Sequence, residues 1–165
     1  CALADAGRRV GLVDRDPQGT ASRWVAESDG GLEIAVQGER YDAMIIDTPP
    51  RLDSVALQQS LSEADRTILV SSPSPADLWT SQDTVKIIRQ HYRGDKAAVL
   101  FNSVQRNTTL ANELSLLGER IGLPMLSRQV CRRQAYQHAM LLGWKALDAK
   151  AREEVLQVAL EIITF

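Results

Sequence analysis

The chain has 165 residues with 44% hydrophobic and 24% charged side chains, which suits one soluble domain able to bury a sizeable core. A formal net charge of −2 selects neither nucleic acid nor membrane as a bulk partner. There is no apolar run near the ~20 residues of a membrane span and no basic-then-apolar leader, so no membrane partner is expected. Cys1 and Cys131 share no metal-ligand or disulfide spacing, which reads as two reduced thiols in a cytosolic protein.

Short apolar runs alternate with longer helical stretches, the pattern of βαβ units and a mostly parallel sheet. Cys1–Ala6 reads as a helix already in progress with Gly7 at its stop, so the chain is expected to be an N-terminally truncated fragment of a longer protein. A strand is predicted over Val10–Val13, ending on Asp14, and a weaker one over Leu32–Val36. Ala43–Ile46 is a wholly apolar strand that ends on Asp47 and runs into the turn Thr48-Pro49-Pro50. A helix over about Ser54–Ala64 and a strand over Thr67–Val70 follow, then a turn marked by Pro73 and Pro75. The next helix runs to about Tyr92, with Val85, Ile88 and Tyr92 at helical spacing and Gly94 as its stop. Ala97–Phe101 is a strand, Thr109–Ile121 a helix and Leu123–Leu126 a short last strand. Helices over Arg133–Leu142 and Ala149–Ile163 close the chain, the second with a buried stripe of Val155, Val158, Ala159 and Ile162.

Two acidic strand ends carry the chemistry. Ligands of parallel α/β sheets sit outside the carboxyl ends of the strands, where Asp14, Asp16 and Asp47 fall. An apolar strand ending in one carboxylate is the arrangement that holds hydrated Mg²⁺ beside nucleotide phosphates, because Mg²⁺ takes oxygen ligands and keeps several waters. Each carboxylate has a plainer reading as a cap or turn residue. Asp14 also has a competing one, as the ribose-binding acid of an NAD-dependent oxidoreductase of Rossmann type.

The segments LVDRDPQGTASRW (Leu12–Trp24) and YDAMIIDTPP (Tyr41–Pro50) closely resemble the second and third motifs of the ParA/MinD superfamily of deviant-Walker ATPases. VSSPSPADLWTSQDTV and RQVCRRQAYQHAMLLGWKALD resemble later segments of that family, the last more loosely, and the spacing is most like the small ParF-type plasmid partition ATPases. The resemblance implies a three-layer P-loop fold whose first strand and loop KGGxGKTT are missing here, the strand lying beside the one that ends on Asp47. It implies ATP and Mg²⁺ as ligands, with Asp16 as the catalytic carboxylate that orients the attacking water. Asp47 would be the Mg²⁺-holding acid acting through water, and Asp14 the neighbouring acid near nucleotide and metal. Asn102, after the strand Ala97–Phe101, falls where the family often contacts adenine, with a turn or capping role as the plainer reading.

The partners implied are a second copy in an ATP-dependent homodimer, a ParB-like DNA-binding adaptor and DNA bound without sequence preference. Six basic residues against one acid lie between Arg128 and Arg152, leaving 13 basic and 20 acidic residues elsewhere. Arg128, Arg132, Arg133 and Lys145 are therefore the DNA-contact candidates, against the plainer reading of a solvated helical face. Trp24, Trp79 and Trp144 read as packing residues, Trp79 with a dimer surface as its other reading. The expected function is an ATP-driven plasmid or chromosome partitioning enzyme, nucleoid-associated in a bacterial cytoplasm. The alternatives are a MinD-like, conjugation or cellulose-synthesis positioning ATPase, the oxidoreductase above, and a non-catalytic interaction remnant. The fragment itself is expected to be inactive.

Overall fold

The computed structural model describes residues 1–91 and 96–165. The predicted end of the fourth helix at Tyr92 and Gly94 lies outside the described residues. The chain divides into two compact units, Cys1–Ser60 with Gln134–Leu156, and Leu61–Arg133 with Gln157–Phe165. Both are α/β, with every strand pair parallel.

In the first unit β1 (Val10–Asp14) is the central strand, flanked by β2 (Leu32–Ile34) and β3 (Ala43–Asp47). Val10 pairs with Leu32 on one side and Ala43 on the other, and the second register ends with Asp14 opposite Asp47. Val10 and Leu12 are buried, as the continuous apolar run demands of an inner parallel strand. β2 stops two residues short of its prediction, and Val36 beyond it is exposed.

Helix α1 (Ala2–Asp5) ends before Gly7, whose φ of 79° is the left-handed conformation predicted of a stop. Helix α2 (Thr20–Glu27), absent from the predicted elements, follows β1 and is pinned by Trp24, whose indole N–H donates to the Ala139 carbonyl at 3.2 Å. Ala139 belongs to α7 (Gln134–Leu142), which leads through a 3₁₀ turn at Trp144–Ala146 into α8 (Ala149–Thr164). Asp148 caps α8 by accepting the Ala151 N–H at 2.8 Å. At the opposite end of β1 from its acid, Arg9 stacks over Tyr41 and pairs with Glu33 and Glu39.

The second unit is built on β4 (Thr67–Ser71) and β5 (Ala97–Phe101), paired from Thr67 opposite Ala97 to Ser71 opposite Phe101. β5 is buried throughout, and its alternation serves two cores. Val99 and Phe101 pack with Leu78 and Val85 of α4 (Pro75–His91) and with Leu114, Leu117 and Ile121 of α6 (Leu114–Ile121). Ala98 and Leu100 pack with Leu126 and with Val158 of α8.

Two predictions for this unit change. The single helix predicted over Thr109–Ile121 breaks at Glu113, giving α5 (Thr109–Asn112) and α6. The Thr108 hydroxyl caps the first by accepting from the Ala111 N–H at 3.2 Å, and Glu113 turns out of helical geometry at φ −105°, ψ 13°. The predicted strand Leu123–Leu126 shrinks to one bridge between Val99 and Met125, where Pro124 accepts a ladder bond from Val99 but has no N–H to donate. Among the described residues no helix is long and apolar enough to cross a membrane.

Candidate nucleotide site at the carboxyl ends of β1 and β3

Asp14 and Asp47 end adjacent parallel strands in register, so the sheet itself sets their carboxylates side by side. The chain leaves β1 through Arg15, whose N–H donates to the Asp47 carbonyl at 2.9 Å and ties the loop after β1 to the last residue of β3. Asp16 follows in a turn closed by the Gly19 N–H on its carbonyl at 2.9 Å. The Gln18 N–H donates to Asp16 Oδ1 at 3.0 Å, while Oδ2 takes no hydrogen bond among the described residues. Asp14, Asp16 and Asp47 are thus brought together within the first unit.

The loop has an internal logic that the spacing DxDPQG encodes. Gly19 must adopt φ 63° to turn the chain into α2, a conformation that favours glycine, and it stands at the N-cap position with no side chain to cap. Asp14 supplies that cap from five residues earlier. Its Oδ2 accepts the Ser22 N–H at 2.8 Å and its Oδ1 accepts the Asp16 N–H at 3.1 Å. The Ser22 amide, more than any other group, holds the Asp14 carboxyl below the usual carboxylate range. Asp14 therefore organises the loop that carries Asp16 and closes the first turn of α2 with a charge of the sign the helix start favours.

Asp47 behaves in the opposite way. Burial is the largest cause that raises its carboxyl above the ordinary value, and the charges of Asp14 and Asp16 raise it further. A hydrated cation relieves that crowding, and an oxygen-only donor suits Mg²⁺. Among the described residues no three His, Cys, Asp or Glu side chains form a direct metal cage. The donor set thus fits a metal held largely by water and phosphate oxygens, with Asp47 as the protein's contribution.

The other predicted residues lie elsewhere. Asn102 stands after β5 in the second unit, exposed, its N–H donating to the Ser71 carbonyl at 2.8 Å. Its side-chain oxygen accepts the Ser103 N–H at 2.8 Å, and Ser103 has φ 56°. That is the turn role weighed beside adenine contact. Arg128 and Arg132 of the second unit are exposed and Arg133 is half-buried. Lys145 of the first unit pairs with Asp29 at 3.1 Å. Arg152, counted in the basic surplus, is spent on structure, donating to the Lys145 and Leu147 carbonyls at 2.6 and 3.0 Å.

Two residues that carry no site motif of their own matter here. Ser22 contributes first through its backbone amide and also through its side chain, both of which favour the charged Asp14 carboxylate. Arg15 reaches Ser60 of α3 (Val55–Glu63), and a guanidinium between two acids of DxD was the signal available for it.

A parallel α/β chain with adjacent strand-end carboxylates and an acidic loop between strand and helix has its acids where the ligands of such sheets sit. Among relatives, the chain is 30% identical to the maintenance of carboxysome distribution protein A of Halothiobacillus neapolitanus, over 94% of this chain and 83% of that protein. It is 28% identical to the protein of the same name from Gloeobacter kilaueensis, over 90% of this chain and 77% of that one. Among solved structures, Aquifex aeolicus MinD aligns with a TM-score of 0.78 at 13% identity, covering 99% of this chain and 88% of that one. A Borrelia burgdorferi protein assigned to plasmid partition and bound to AMPPNP aligns with a TM-score of 0.72 at 15% identity, covering 97% and 90%. No model of a known protein family matches the chain. The chain belongs to the family of the maintenance of carboxysome distribution protein A, and its fold is that of the ParA/MinD structures.

Proposed function

We propose that the intact protein is a Mg²⁺-dependent ATPase whose nucleotide cycle positions a cellular cargo. The observation that carries this reading is the in-register pair Asp14 and Asp47, with Asp16 held two residues further on by backbone hydrogen bonds. Mg²⁺ at Asp47 would neutralise the phosphate charge that builds as the γ-phosphoryl group departs. Asp16, with Oδ2 open, orients the attacking water, and Asp14 keeps Asp16 in place. The family resemblance would give Asn102 the adenine contact. In this reading Asp14 serves the loop and helix amides rather than a ribose.

Residues 1–165 contain no counterpart of the family's glycine- and lysine-rich phosphate loop. In the intact protein that loop would follow a further strand beside β3. Support comes from β3, an apolar strand that pairs only with β1 among the described residues, with Met44 61% and Ile45 44% exposed. A further parallel strand along that edge would cover both.

The cargo is inferred from the relatives named for carboxysome distribution, which favour carboxysomes over a plasmid or chromosome. An adaptor protein on that cargo would stimulate hydrolysis in an ATP-linked homodimer, and nucleoid DNA would serve as the track. Exposed Arg128 and Arg132 are the stronger candidates to meet phosphates, and half-buried Arg133 and ion-paired Lys145 the weaker ones. The track is tested by reversing the charges of Arg132 and Arg133. The slope of log affinity for DNA against log salt should fall by about one for each phosphate no longer neutralised, and an unchanged slope removes these residues from the interface.

The decisive experiment is to express the chain with its upstream segment and measure Mg²⁺-dependent ATP hydrolysis beside Asp16→Ala. Hydrolysis abolished by Asp16→Ala with ATP binding retained is the expected result. An extended protein that neither binds nor hydrolyses ATP would overturn the reading and point to an interaction protein of ATPase ancestry.

A further inference from the structure

We propose that Arg15 is a positioning residue that locks the Asp16 loop to the strand and helix flanking Asp47. The proposal rests on the ATPase reading above and adds a residue to its machinery.

Three elements of the first unit meet at this one side chain and its backbone. The Arg15 N–H donates to the Asp47 carbonyl at 2.9 Å, so the loop after β1 is stitched to the end of β3. The Arg15 guanidinium Nη1 donates to Ser60 Oγ at 3.0 Å, inside α3. Ser60 is only 3% exposed, and its own hydroxyl donates to the Ala56 carbonyl one helical turn back at 2.7 Å. That bond fixes the hydroxyl with its proton turned into the helix and a lone pair available to the guanidinium. Helix α3 is the first element after the Thr48–Ser54 turn that leaves Asp47.

Alternation along extended backbone explains the division of labour. Asp14 turns its carboxylate toward the loop amides of Asp16 and Ser22, whereas Arg15 between the aspartates reaches to Ser60. Arg15 thus acts through its neighbours, and any shift of the β3–α3 connection is felt at Asp16. The role suits a planar guanidinium with several rigidly placed donors better than a point-charge ammonium.

The test uses the full chain with its upstream segment. Arg15→Gln should lower kcat about tenfold while KM for Mg-ATP changes less than about twofold, because a small misplacement of a catalytic group costs rate before affinity. Ser60→Ala should lower kcat in the same direction, and the double variant should fall short of the sum of the two single effects, as expected of residues that share an interaction. Arg15→Lys should recover part of the rate. In nucleotide-free protein, hydrogen exchange of the Asp16–Ser22 amides should quicken in Arg15→Gln and in Ser60→Ala. An unchanged kcat, a KM that rises with the loss of rate, additive effects, or loop exchange that does not move would each overturn the proposal. If the unsubstituted full chain hydrolyses nothing, the ATPase reading fails instead, and the exchange measurement still decides whether Arg15 and Ser60 order this loop.

Discussion

β3 and β5 are both five-residue, largely apolar strands, AMIID and AAVLF, yet they meet opposite fates. In β5 no residue is more than 8% exposed, because α4 and α6 cover one face and Leu126 and Val158 the other. In β3 Met44 and Ile45 are open, and the strand's most telling residue is the carboxylate at its end, opposite Asp14. An apolar run therefore says that a strand is suited to burial, while its neighbours decide whether it is buried. Where cover is complete the strand is a structural beam, and where it ends in acids the same kind of strand presents chemistry.

Substitutions should sharpen that contrast. The largest effect belongs to the beam: Phe101→Ala, at a side chain 2% exposed, should cost about 3–5 kcal/mol in denaturant unfolding of the chain. Asp14→Ala should cost about 1 kcal/mol, the typical loss when a helix cap is removed. Asp14 has a depressed carboxyl, so its contribution is present above the ordinary carboxylate value and fades as pH falls through the folded one. The gap between Asp14→Ala and the unsubstituted chain should therefore narrow on acidification. The smallest effect should have the opposite sign. Asp47 has a raised carboxyl, so its ionised form burdens the metal-free fold at neutral pH, and Asp47→Asn should raise the melting temperature slightly. That gain should shrink as pH falls through the raised value and vanish below the ordinary one. A melting temperature lowered by Asp47→Asn at neutral pH would show the three acids to be a structural network rather than a crowded ligand site.

Much of the fold was legible because parallel strands announce themselves. Each apolar run bounded by charge or proline became a strand or a bridge, whereas the pairing that sets Asp14 opposite Asp47 came from the structure. What stayed hidden was what depends on partners distant in sequence. Helix α2 lacks a capping side chain beside its first turn because its cap is Asp14. The break at Glu113 is a local backbone choice within a window of good helix formers. At the site, residue types pointed to the three carboxylates, but only geometry separates Asp14, engaged by two amides, from Asp47, crowded by charge. The basic surplus was likewise visible as a count, while the structural duties of Arg152 and Lys145 were not.

The cap that Asp14 lends to α2 makes the intervening stretch a ruler. Both ends are fixed, one by the ladder of β1 and the other by the Ser22 amide, so a residue gained or lost between Asp14 and Thr20 would uncap the helix and displace Asp16 together. The spacing of the acidic loop is as much a part of its chemistry as its aspartates.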